Sequence, residues 1–398
     1  MKKKYFVPIF IGFLIFSTMG CGTKETTVQK QRGVTDNEIK IGSSLALGGH
    51  ASFLGTQYLH GALAYINEVN EKGGVYGRRV NIISYDDQYD PPKTIANTQK
   101  LINEDEVFAL FNYVGTPTSV RIIDIVHQAE IPTLGFFTGA EALRSPHRPY
   151  MFHVRDSYYA EAEGAINYFV NKLGFKKIAV MYQEDAFGLA VLAGVQLALD
   201  SRNLETVVTA TYKRGTMDVE DALNTIKVKD VQAVVMVGTY SPLAKYINLS
   251  HDAGFYPYFH TVSFVGSEAF AKEIVDVQKV DPGQYDKIIV TQVVPSPASR
   301  AFSGIQEYLG LFKKYYPNDK PNYVALEGFI NAKVLVKALE DAGRGLTREK
   351  FIDALESVNN FNVGIGKNIT YNVLDHKGLE GIYYSKITPS GVFEIFNP

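Results

Sequence analysis

From Glu38 onward, short β-rich apolar runs alternate with stretches of helical spacing, the pattern of an α/β domain with a largely parallel sheet. The pattern predicts strands over Ile39–Leu45, Val80–Tyr85, Val107–Phe111 and Pro132–Phe136, and helices over Leu54–Glu71, Pro91–Asn103 and Pro117–Ala129. It pauses between Arg144 and Pro149, and Met151–Arg155 follows as an extended segment, suited to a crossing. A second set begins at Lys176. It has strands at Ile178–Tyr182, Val207–Thr211, Ala233–Val237 and Tyr258–Val262, with helices starting near Gly188, Asp218 and Pro242. Two sets predict two similar lobes. Beyond them come a strand at Ile288–Val293 and helices at Ser299–Tyr315, Tyr323–Ala342 and Arg348–Ser357. Short strands at Ile369–Tyr371, Gly381–Ile387 and Val392–Phe396 predict an antiparallel finish to one lobe.

The first residues read differently. Lys2, Lys3 and Lys4, an apolar run from Tyr5 to Phe16 and then Ser17-Thr18-Met19-Gly20-Cys21 form the charged, apolar and small-residue zones of an export signal. The apolar run is shorter than the roughly 20 residues of a membrane-spanning helix. Cys21 after Gly20 resembles the bacterial lipobox, so residues 1–20 are expected to be removed and Cys21 to carry lipid, with residues 21–35 as a polar tether. The remainder suffices for two domains.

Composition narrows the function by exclusion. A formal net charge of −2 gives no electrostatic footprint for nucleic acid, and a single cysteine excludes an intrachain disulfide framework and a multi-thiolate metal site. His50, His60, His127, His153 and His260 show no metal-ligand spacing. There is no GxSxG elbow, HExxH or phosphate-binding loop, so neither an enzyme nor a cofactor or metal is expected. Asp86, Asp87 and Asp90 lack calcium-loop spacing. Asp90 before Pro91 is expected instead to cap a helix with its side chain.

In a parallel α/β lobe, ligands gather where strand ends lead into helix N-termini. Three loops qualify. Tyr113-Val114-Gly115-Thr116-Pro117-Thr118-Ser119 offers a capping Thr116 hydroxyl and the amides of Thr118 and Ser119, a site suited to a carboxylate. Phe136-Phe137-Thr138-Gly139-Ala140-Glu141 follows the adjacent strand and brings Thr138 and Gly139 beside it. In the other lobe Gly238-Thr239-Tyr240-Ser241-Pro242 offers Tyr240 as a closing side chain. Glu184 and Asp185 precede a helix, whose positive end favours anions, and Asp185 is a further ligand candidate; Phe264, with Phe137, Tyr158 and Phe187, is a candidate for lining the cleft. Arg155 at the crossing suits either an anionic ligand or an interlobe salt bridge.

Several segments, in order, resemble the type I periplasmic binding proteins of the branched-chain amino-acid transport family. They are Ile39-Lys40-Ile41-Gly42 through Gly55 and Gly61-Ala62; Ile66-Asn67 with Gly73-Gly74-Val75-Tyr76-Gly77-Arg78; Tyr85-Asp86-Asp87 with Asp90-Pro91; Gly115-Thr116-Pro117-Thr118; Ala253-Gly254-Phe255; and Gly391. The resemblance implies two Rossmann-like lobes joined by a three-stranded hinge, 36–155 plus 294–366 and 156–293 plus 367–398. It also implies an extracytoplasmic protein that captures a small carboxylate-containing solute, an amino acid or amide, for the permease subunits of an ABC transporter, with the membrane reached through lipid on Cys21. Thr116 would hold the carboxylate and Tyr240 would bond from the opposite lobe. A ligand-sensing receptor module is the alternative. The acidic residue that the family's amino-acid binders place near Ser263-Phe264-Val265-Gly266 is missing before Glu268, and Leu54 stands where an aromatic is expected.

Overall fold

The computed structural model describes residues 1–6 and 31–398, so the proposed signal cleavage, Cys21 and most of the tether lie outside the described residues. Residues 1–30 and 31–398 form separate units, and the fold below is that of the second.

The first lobe holds a five-stranded parallel sheet of β1 (Glu38–Leu45), β2 (Arg79–Asp86), β3 (Ala109–Val114), β4 (Thr133–Phe137) and β5 (Met151–Phe152), in the order β2-β1-β3-β4-β5. One face packs on the helices Ser52–Glu71, Ser303–Tyr315 and Tyr323–Asp341, the other on Pro91–Asn103 and the turns after Gly115. The second lobe holds β6 (Ile178–Gln183), β7 (Thr209–Tyr212), β8 (Ala233–Val237), β9 (Tyr258–Thr261) and β10 (Ile288–Gln292) in parallel. A small ribbon, β11 (Phe361–Asn362) with β12 (Asn368–Ile369), precedes the finish. There β13 (Tyr383–Ile387) pairs antiparallel with β10, and β14 (Phe393–Phe396) antiparallel with β13. The central strands are buried along their whole length, as expected of parallel strands covered on both faces.

The chain passes between sheets three times: after β5, after β10 and before β13. The last passage comes later than residues 366/367. Ile369, Tyr371 and Leu379 are buried in the first core, and Gly378 and Leu379 donate to the carbonyls of His153 and Val154. The apolar contacts of this segment hold it on the first lobe up to Leu379.

Three local expectations change. The helix expected over Pro117–Ala129 is broken into turns at Thr116–Ser119, Val120–Ile122 and Ile123–Gln128. The segment is rich in β-branched residues, and the Thr118 hydroxyl bonds back to the carbonyls of Val114 and Gly115, competing with a regular ladder. The strand expected to end at Phe111 continues to Val114, because Asn112 adopts φ 56° and pairing resumes at Tyr113 with Phe136. Asp90 makes no side-chain cap. Asp87 is the anchoring carboxylate instead: it accepts from the Tyr89 amide (2.9 Å), the Ser44 hydroxyl (2.8 Å) and the Thr94 hydroxyl (3.1 Å). Burial raises its pKa to about 6.

Candidate functional site

Each sheet reverses its winding at one strand. β1 lies between β2 and β3, and β6 lies between β7 and β8, so crevices open beyond the carboxyl ends of these strands. In the first lobe, the residues there are those leaving β3 and β4. Gly115 has φ 94°, and a Cβ on it would sit 2.0 Å from the Tyr89 ring, so both conformation and space require glycine. The turn that follows buries Thr116 against Thr138, and their hydroxyl oxygens are 2.7 Å apart.

That pair sets the polarity of the site. Thr138 also accepts from the Ala140 amide at 3.2 Å. Each threonine has one hydroxyl proton, and their mutual bond uses one. Whichever threonine donates, one proton stays free for an acceptor. The Thr118 hydroxyl is committed to backbone carbonyls, and the Ser119 amide donates to the Gly115 carbonyl at 3.1 Å. Two parts of the expected convergence are therefore corrected: Gly115 rather than Thr116 is the cap position, without a side-chain bond, and the Ser119 amide is engaged. Gly139 is required for a close approach, since a Cβ on it would sit 2.5 Å from the Tyr158 nitrogen, whose amide donates to the Gly139 carbonyl at 2.8 Å.

The opposite wall is aromatic. Phe264 is fully buried, with ring centroids 5.4 Å from Phe137, 5.8 Å from Tyr89 and 4.6 Å from Phe187. Tyr58 and Tyr158 extend the cluster, and the hydroxyls of Tyr89 and Tyr158 are buried without a partner among the described residues. These residues belong to one apolar cluster spanning both lobes, so the lobes are closed upon each other. Tyr240 sits elsewhere in this wall: its half-buried ring packs edge-on against Phe53 at 6.4 Å. Phe264 packs on Phe137, the residue that precedes Thr138.

Asp185 lies at the end of β6, with most of its acceptor capacity engaged. One oxygen accepts from the amides of Phe187 (2.9 Å) and Gly188 (3.2 Å), and the other from the Gln183 side chain (2.5 Å), with Arg214 at 3.9 Å. Burial raises its pKa. Glu268 accepts from the Tyr323 amide at 3.0 Å, joining the lobes.

Arg155 is the residue whose place the sequence left open. It is completely buried, 3.7 Å from Glu161 on the second lobe and 3.5 Å from Glu327 on the helix Tyr323–Asp341 of the first, and it donates to the Ser263 hydroxyl. Its guanidinium carbon lies 4.8 Å from the Phe137 ring centroid. Burial opposes its charge, but Glu327, Tyr158 and Glu161 outweigh that and raise its pKa. Glu161 also accepts from the Ser263 amide (2.7 Å), the Ser263 hydroxyl (2.9 Å) and the Thr291 hydroxyl (2.7 Å). Glu327 has fewer compensations, and burial raises its pKa to about 7. Glu161 and Glu327 carry no local motif; only their occurrence within otherwise apolar helical stretches hinted at a buried role.

The model of the family described as periplasmic binding protein matches residues 38–391. The chain belongs to this family. Its members are solute-binding proteins, and membership places this binding protein outside the cytoplasm. It is similar to a possible leucine/isoleucine/valine-binding protein from Rhodopirellula baltica SH 1, at 32% identity and a TM-score of 0.85 over 91% of this chain and 97% of that one. A branched-chain amino acid ABC transporter protein from Thermus thermophilus with bound valine superposes with a TM-score of 0.81 at 19% identity, over 92% and 96% of the two chains. The Leu/Ile/Val-binding protein homolog 8 of Brucella abortus (strain 2308) is 21% identical over 83% of this chain and 85% of its own length. The binding protein thus has the type I fold, two α/β lobes around a cleft. Among the described residues no group of three His, Cys, Asp or Glu side chains is arranged for a metal, and no helix is long and apolar enough to cross a membrane.

Proposed function

We propose that the cleft captures a small solute bearing a carboxylate or amide oxygen, an amino acid or a relative of one, and that the chain delivers it to the membrane subunits of an ABC importer without transforming it. The observation that carries this reading is the buried Thr116–Thr138 pair with one uncommitted hydroxyl proton. Arg155, whose Nε and Nη1 have no hydrogen-bond partner among the described residues, supplies a positive neighbour for a carboxylate, and Phe264 with Phe187 covers the apolar part. The relatives named for leucine, isoleucine and valine, and the one holding valine, support an amino acid of that size. The commitment of Asp185 leaves an ammonium without an evident partner, which favours amides and amine-free acids as strongly as α-amino acids. Export through residues 1–20 and anchoring through lipid on Cys21 complete the proposal and rest on the sequence.

A thermal-shift panel of aliphatic and aromatic amino acids, amides and amine-free carboxylates tests it. A solute at a hundred times its Kd stabilises the folded protein by about 2.7 kcal/mol, a visible shift. Absence of any shift across these classes would overturn the carboxylate-or-amide assignment.

A further inference from the structure

The turn that follows β2 holds two consecutive non-glycine residues in the left-handed region, Gln88 at φ 53° and Tyr89 at φ 60°. That conformation is unfavourable for residues with a side chain and persists only where neighbours enforce it. Two carboxylates enforce it here. Asp86 accepts from the amides of Gln88, Leu47 and Gly48, each at 2.9 Å, and Asp87 from that of Tyr89 at the same distance. The turn lays the buried Tyr89 ring on the Gly115 loop that bears Thr116, with its centroid 5.5 Å from the His50 ring and 5.8 Å from that of Phe264 on the other lobe.

The second lobe answers with Arg214. It lies in the turn after β7, which Gly215 (φ 76°) and a Thr216 hydroxyl donating to the Lys213 carbonyl at 2.8 Å keep compact. Arg214 Nη1 donates to the Tyr89 carbonyl at 3.4 Å, its guanidinium carbon is 5.9 Å from the centroid of the Tyr89 ring, and its Nε is 3.9 Å from Asp185 Oδ2. A planar guanidinium can serve a carbonyl, a ring face and a carboxylate together. Each contact is long and the side chain is 29% exposed, so the grip on Tyr89 exchanges for water at little cost. A contact that must be made and released repeatedly needs that economy.

The place of the pair in the two sheets decides what the contact does. The first two interlobe passages leave from β5 and β10; β2 stands four strands from β5 in one sheet, and β7 four strands from β10 in the other. At about 4.8 Å per strand the pair lies roughly 19 Å from the hinge side, where about 10° of lobe rotation separates it by about 3 Å. Opening therefore breaks this contact early. We infer that Arg214 and the turn at Tyr89 form a latch at the mouth of the cleft: Arg214, positioned by Asp185, grips Tyr89 only in the closed state and so sets how long a captured solute is held. The holding of a solute rests on the function proposed above; the grip between the lobes does not.

The sequence contains no tryptophan, so Phe53→Trp, at the ring that meets Tyr240 of the other lobe, gives a single reporter of closure. In that background Arg214→Ala should raise acrylamide quenching of the solute-free protein about twofold. Stopped-flow fluorescence with the solute found by thermal shift should show dissociation about tenfold faster, with association within about twofold of the unaltered rate and an unchanged urea midpoint. Arg214→Lys should recover part of the slow dissociation, since an ammonium still donates to the Tyr89 carbonyl. Unchanged dissociation, or association slowed as much as dissociation is hastened, would overturn the latch. So would a loss confined to carboxylates and absent for amides, which would make Arg214 a contact of the solute instead. If no solute in the panel binds, the function proposed above fails while quenching still decides the latch: equal quenching with and without Arg214 overturns it.

Discussion

The two walls of the cleft use the same strand-end geometry for opposite purposes. On the first lobe the loops after β3 and β4 leave hydrogen-bonding capacity unspent, in the Thr116–Thr138 pair. On the second, the loop after β6 spends its capacity internally, with Asp185 taking two amides and the Gln183 side chain, while Phe187 and Phe264 present rings. A helix start at a strand end is therefore not itself a binding site: what matters is which donors and acceptors remain after the loop has satisfied its own backbone. Under the proposed function the first wall would read the solute and the second would cover it.

The largest expected effect tests the covering wall. Phe264→Ala removes a fully buried ring shared by both lobes and should cost about 3–5 kcal/mol in chemical unfolding. A loss below about 1 kcal/mol would mean that the rings do not hold the lobes together. Next comes the reading wall. Thr116→Val should weaken the solute found in the panel by about 1–3 kcal/mol, and Thr116→Val with Thr138→Val should cost less than the sum of the single changes, because the hydroxyls share one bond. Additive losses in calorimetry would show two independent contacts.

A third expectation concerns Glu327 between the walls. Its folded pKa of about 7 lies above its ordinary value near 4.5, so the folded chain keeps a proton that the unfolded chain releases. This contribution to stability is fully present below about pH 4.5 and is lost as pH rises through about 7. Glu327→Gln should make the fall of stability over that window shallower, by at most about 1.4 kcal/mol per pH unit, with Glu268, raised to about 7 by burial, and Asp87, raised to about 6, among the groups that supply the remainder. An unchanged slope in urea unfolding would mean that Glu327 is ionised in the folded state. The smallest expected effect sharpens the comparison. Asp185→Asn keeps a capping acceptor and should alter stability by under about 0.5 kcal/mol. A large loss of affinity confined to amine-bearing solutes would show that the second wall reads as well.

Periodicity alone located nearly every strand, because parallel strands covered on both faces appear as unbroken apolar runs. It failed where local chemistry overrides the pattern. Asn112 looked like a strand end but holds a left-handed residue inside β3, and the β-branched stretch after Ser119 breaks a helix that spacing alone would continue. The loops at Thr116 and Thr138 were readable because neighbouring strands fix where their loops meet. Glu161 and Glu327 carry no readable assignment: Glu327 lies far from Arg155 in sequence, and Glu161, although only a turn or two of helix beyond it, sits in no motif that announces the pair.

The shared bond between Thr116 and Thr138 has a consequence for how the cleft idles. Because either hydroxyl can be the donor, the pair can reverse direction without moving a heavy atom, presenting its outward proton from one side or the other. Solutes whose oxygens sit at slightly different depths would each find a donor, at no cost in rearranged backbone. Under the proposed function the threonines would work as a tolerant latch that tests for an acceptor and ignores the rest of the molecule, leaving the rings of the facing lobe to decide by shape which acceptor-bearing solute stays.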